Sequence, residues 1–103
     1  MSKYGAVKTN GYASKREAKR ANELKVLLFA GQISELLEQV PFVLVRDVVI
    51  QGRKRPPIRY IADFVYVENG KRVVEDSKGY RTPEYRMKRH MMKVFHDIDI
   101  FET

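Results

Sequence analysis

The chain of 103 residues has no cysteine and no tryptophan, and only two histidines and four prolines. Without cysteine there are no disulfides and no zinc-thiolate centres, which fits a reducing compartment. Long apolar runs are also missing. The longest, Val26 to Ala30, is five residues, far short of a membrane span or of a signal peptide's apolar core. A soluble, cytoplasmic protein is the expectation. Acidic residues are in deficit, 13 against 20 Lys and Arg, for a net charge of +7 and a pI near 9.8. Such a surplus favours a polyanionic partner through counterion release. Because no segment combines an aromatic-rich apolar face with a lysine-rich polar one, nucleic acid is expected rather than an acidic membrane surface. What is present is a globular composition, 44% hydrophobic and 11% aromatic, in a length that supports one small core.

Residues 1 to 12 hold Lys3, Tyr4, Lys8 and Tyr12 without periodicity and read as a flexible basic arm, leaving 13 to 103 as a single domain. Ser14-Lys-Arg-Glu17 is a capping box. Ala18, Ala21, Leu24 and Leu28 then recur at helical spacing up to Gly31, so a first helix is expected over about 15 to 30. Ile33 to Gln39 suits either a helical turn or a short strand, with strand favoured. Phe42 to Ile50 is rich in Val and Leu and reads as a strand, and Gln51 to Pro57 as a basic loop. Arg59 to Val67 and Lys71 to Lys78 are strands joined at Asn69-Gly70, a strong hairpin signal. Thr82-Pro83-Glu84 starts a second helix, running to about Phe95 with Met87, Met91, Val94 and Phe95 inward. Ile98 to Phe101 is a last short strand. The resulting class is α/β, a mixed sheet flanked by helices in the order α-β-β-β-α-β.

If Asn69 and Gly70 form a type I′ turn, Asp63 lies directly across from Asp76. Cβ atoms of such a pair are about 4.5–5.5 Å apart, and like charges there destabilise the sheet. Lys78, two residues on, projects on the same face opposite Ile61, and Val65, Val67 and Val74 make that face apolar. A divalent cation answers the repulsion. Mg²⁺ in particular uses one or two carboxylates, several waters and a substrate phosphate, and such an ion activates water and neutralises developing charge in phosphodiester hydrolysis. The plain alternative is a solvated salt-bridge cluster.

Asp63, twelve intervening residues and Asp76-Ser-Lys78 resemble the signature of the PD-(D/E)XK nuclease superfamily, whose restriction-endonuclease-like core has the same element order. Tyr12-Ala-Ser-Lys-Arg-Glu17, Gln39-Val-Pro-Phe42, Tyr60-Ile-Ala-Asp63-Phe64, Val74-Glu-Asp76-Ser-Lys78-Gly79 and Tyr85-Arg-Met-Lys88 are similar to a phage- and prophage-associated branch grouped with Holliday-junction resolvases. Ala62 departs from the signature's proline, a conformational rather than chemical element. The resemblance implies a metal-dependent DNA endonuclease working in a bacterial host cell. Its implied site has Asp63 and Asp76 on Mg²⁺ or Mn²⁺, Lys78 acting on the water or the transition state, and Glu17 as a third acid.

Other residues have ordinary readings beside functional ones. Glu17 is explained by the cap, although it lies on the stripe facing the sheet. Gln39 reads equally as a strand-end polar residue, and Glu75 as structural. Arg53, Lys54 and Arg55, with Arg81, Arg86, Lys88, Arg89 and Lys93, are expected to contact DNA, because Glu84 is the one acid among residues 79 to 96. His90 sits among them as a DNA contact or plain surface, and Tyr4, Tyr12 and Tyr80 are candidates for base stacking. Without a base-reading helix, branched DNA is a more natural substrate than a specific sequence. Cutting two symmetric strands calls for a homodimer. The rivals are a non-catalytic DNA-binding module on the same fold and a nicking nuclease of ordinary duplex.

Overall fold

A computed structural model describes residues 11–103. Helix α1 (Lys15–Phe29) starts at Ser14, whose hydroxyl accepts the Glu17 amide at 3.1 Å, and stops at Gly31, which takes the left-handed φ of 77°. Then follow β1 (Ser34–Val45), β2 (Val48–Ile50), β3 (Arg53–Arg55), β4 (Ile58–Glu68), β5 (Lys71–Asp76), α2 (Pro83–His96) and β6 (Phe101–Glu102). The main sheet has the order β1-β4-β5-β6. Its pairs are antiparallel except β5 with β6, which the α2 crossover makes parallel.

The helices cover opposite faces. On one, Ala21 and Leu24 of α1 pack with Ile33, Phe64 and Tyr66; on the other, Tyr85 and Met92 of α2 pack with Phe42, Leu44, Tyr60, Ala62, Val65 and Val74. The α/β class and the α-β-β-β-α-β order of the sheet are therefore as the sequence implied.

Several details differ. The single strand expected over 42 to 50 breaks after Val45, and the expected loop 51 to 57 contains β3, which pairs with β2. Gln51 and Gly52 both have positive φ, 50° and 76°, a mirror-image turn that Gln-Gly advertises far less than Asn-Gly does. This second ribbon lies outside the main sheet, and the radius of gyration, 15.7 Å, exceeds the roughly 13 Å of a compact chain this long. In α1 the inward residue at the end is Leu27, with Leu28 exposed. In α2 Met87, Val94 and Phe95 are exposed, and only Met91 of the expected inward set packs on the core. The helix carries two apolar stripes, and the sheet accepts one. Tyr85, its ring 6.3 Å from that of Tyr60, and Met92 occupy that face.

Candidate active site

Asn69 and Gly70 turn with φ of 52° and 75°, and the β4–β5 register runs from Glu68↔Lys71 to Phe64↔Glu75. Carried one pair past these partners, the same register brings Asp63 towards Asp76, whose carboxyl is near enough to be among the causes that raise the pKa of Asp63. The adjoining β1–β4 register, with Glu38↔Phe64 and Val40↔Ala62, sets Gln39 against Asp63 from the other side.

Strict alternation would put Ala62 and Phe64 on one face, yet Ala62 packs with the α2 cluster and Phe64 with the α1 cluster. The facial phase of β4 thus changes at Asp63, and Gln39 opposite has φ of 54°. An irregularity of this kind re-aims side chains. It corrects the expectation for Ile61, which is half-exposed while Tyr60 and Ala62 take the α2 face with Val65.

Asp76 is 1% exposed. Tyr60 Oη donates to its Oδ2 at 2.5 Å, whereas its buried Oδ1 has no hydrogen-bond donor among the described residues. Lys78 Nζ lies 3.5 Å from that oxygen, too far for a charge-assisted hydrogen bond but close enough for Coulomb attraction. The same ammonium sits 4.7 Å from the centre of the Tyr85 ring. Asp63 Oδ2 accepts the Ser77 amide at 2.8 Å. Burial, joined by repulsion from Asp76 and Glu17 and opposed by the Ser77 bond, pushes the Asp63 carboxyl up to about 7.

Glu17 is also buried, and its Oε2 accepts from Gln39 Nε2 at 3.0 Å. Burial first, then Asp76 and Glu38, raise its pKa, and Lys78 opposes them. Its side chain therefore turns towards the acid cluster and Gln39. The capping box predicts a bond back to the cap residue instead, so only the serine half of the box is made. Gln39, which sequence reasoning ranked low, orients Glu17 and lies across from Asp63; the register of β1 was the missing signal.

A raised carboxyl has a defined effect on stability. The folded state binds more protons at Asp63 than the unfolded chain between their respective pKa values, so stability must fall as pH rises from about 4 to about 7. In chelator, melting scans should show this decline, and Asp63→Asn should flatten it. An Asp63→Asn slope equal to the parent's would mean that another group titrates.

Two hard carboxylates, one with an unpartnered buried oxygen and the other with a raised pKa, fit a hard divalent cation of the Mg²⁺ class. Among the described residues no three His, Cys, Asp or Glu side chains converge closely enough to hold a metal. The fit is thus to a two-carboxylate arrangement, with Glu17 beside it.

The basic residues divide. Arg53, Lys54 and Arg55 are exposed along β3. At and just before α2, however, Arg81 and Arg89 bind Glu102 at 2.7 and 2.9 Å, Lys88 binds Glu84, and Lys93 binds Asp97 and Asp99. Counting acids only within 79 to 96 missed those that later residues bring across. Burial would raise Glu102, but the bonds from Tyr85, Arg81 and Arg89 hold it down at about 2. Arg86 and His90 remain exposed. Tyr12 packs beside the α1 cluster and accepts from Lys25 Nζ at 3.0 Å, and residues 1 to 10 of the expected arm lie outside the described residues. Tyr80 is exposed; Tyr4 lies outside the described residues. Glu75, read as structural, is fully buried, with Arg20, Tyr66 and Thr103 donating to it.

Fold and site define a small mixed α/β protein with a buried and a half-buried carboxylate near each other, Asp76 and Asp63, and a lysine at the end of its central hairpin. Residues 1–101 match the family described as Protein of unknown function (DUF1064), and the chain belongs to that family. No curated protein and no solved structure matches it. No helix among the described residues is long and apolar enough to cross a membrane.

Proposed function

We propose that the chain is a metal-dependent DNA endonuclease that hydrolyses phosphodiesters, with branched DNA as its substrate. The observation that carries this reading is the nearness of the Asp63 and Asp76 carboxyls, with one Asp76 oxygen buried and unpartnered and Lys78 Nζ 3.5 Å from it. A chain that only bound DNA would be better served without two neighbouring acids facing a polyanion.

Mg²⁺ or Mn²⁺ held by Asp63 and Asp76 would supply an activated water and charge neutralisation at phosphorus. Tyr60 fixes one Asp76 oxygen, leaving the other for the ion, and the Ser77 amide does the same for Asp63. Lys78, attracted to Asp76 and lying over the Tyr85 ring, offers a proton or positive charge to the attacked phosphate. Glu17, aligned by Gln39, accepts protons or orders water at the edge of the pair.

The test is incubation of the pure chain with a labelled four-way junction and with matched linear duplex, each with Mg²⁺ and with chelator. Metal-dependent cutting of the junction above the duplex is expected. Equal cutting of both removes the branched-DNA preference, and binding without cutting under Mg²⁺ and Mn²⁺ leaves a DNA-binding module.

A homodimer belongs to this proposal, since two strands require two sites, and the exposed stripe of Met87 and Val94 on α2 offers an apolar surface. Sedimentation velocity should give twice the chain mass on junction DNA. A single chain mass there would remove the dimer.

A further inference from the structure

Against α1 lies a cleft of about 390 Å³ lined by Lys15, Arg16, Lys19, Arg20, Glu23, Ser77 and Thr103. Arg20 is committed to Glu75 and Glu23. Lys15, Arg16 and Lys19 are exposed and have no acid within ion-pair distance among the described residues, in contrast to the α2 cations with their Glu102, Asp97 and Asp99 partners. Three unneutralised cations are thus gathered on one wall.

The opposite wall also lacks a partner. The Ser77 hydroxyl is buried with no hydrogen bond among the described residues, although a buried hydroxyl ordinarily finds one. Ser77 stands between Asp76 and Lys78, and its amide holds Asp63. Arg16 passes so close to Gly79 that a Cβ there would meet its Nε at 3.7 Å. The cleft therefore adjoins the acid pair through the same stretch of chain.

We infer that this cleft seats a backbone phosphate of the DNA strand next to the one attacked, with Lys15, Arg16 and Lys19 supplying charge and Ser77 a hydrogen bond. The inference rests on the nuclease reading and adds where the strand lies. Phosphate contacts of this kind fix register without reading sequence, and each contributes a slope of about −0.9 to the dependence of log affinity on log salt for duplex DNA.

The test measures binding of a fluorescein-labelled duplex by anisotropy in chelator over a salt series. Three proteins are compared: the parent, Lys15→Ala/Arg16→Ala/Lys19→Ala, and a control losing equal charge elsewhere, Lys25→Ala/Arg46→Ala/Lys71→Ala. The cleft variant should bind at least about tenfold more weakly at moderate salt and lose about two to three units of slope, the control less than one. Ser77→Ala, which leaves the charge alone, should weaken binding several-fold with unchanged slope. Melting curves confirm that each variant is folded. Equal losses in cleft variant and control overturn the cleft while leaving the nuclease standing. A parent that binds no DNA, or that prefers phosphatidylserine vesicles, overturns both.

Discussion

Asp76→Asn is expected to lower metal-dependent cleavage by about a thousandfold or more, equivalent to about 4 kcal/mol of barrier, while DNA binding in chelator stays equal or becomes tighter. The amide oxygen can still accept from Tyr60 Oη, so the fold keeps its buried bond. What disappears is the negative charge that, with Asp63, attracts a divalent ion. With the repulsion gone, the Asp63 carboxyl should also return towards the ordinary carboxylate range, since Asp76 is among the causes that raise it. The metal-free variant should therefore melt higher than the parent above pH 7. Loss of cleavage with retained binding and raised melting temperature is the signature of a metal-holding acid. Retained cleavage by a well-folded Asp76→Asn would remove that role from the pair.

Much of this centre was legible because its information is local. Asn69-Gly70 sets the hairpin, the hairpin sets the register, and the register carried one pair past Phe64↔Glu75 brings Asp63 towards Asp76. Ser14 and Thr82 mark both helix starts by their own side-chain bonds. The parts that escaped depend on pairing between distant segments. Gln39 meets Glu17 only because β1 lies beside β4 in a particular register, and the phase change at Asp63 has no mark in the alternation of β4 itself. Glu102 neutralises Arg81 and Arg89 only because β6 returns parallel to β5. On α2 the pattern points the more apolar stripe, Met87, Val94 and Phe95, inward, but the ring of Tyr85 against Tyr60 turns the other side to the sheet.

Arg20→Met should be the most destabilising single change on α1, costing about 3–5 kcal/mol. Glu75 is wholly buried. Arg20 reaches it with two donors, Nε at 2.6 Å and Nη2 at 3.0 Å, and Tyr66 and Thr103 supply the rest. Removing the guanidinium leaves a buried carboxylate with hydroxyl donors and no compensating charge. For a domain near this size, a loss of that order lowers the melting temperature by about 15–30 °C. The charge, not the packing, is at issue, so Arg20→Met/Glu75→Leu should recover most of the loss, because a buried ion pair replaced by apolar groups of similar volume is often neutral or stabilising. The pair also ties α1 to β5, and α1 carries Glu17 to the acid cluster. At a temperature where both variants are folded, cleavage should fall in the single variant and return in the double one. A double variant as unstable as the single would mean that Arg20 acts through its contacts with Glu23 and Tyr66 rather than by compensating Glu75.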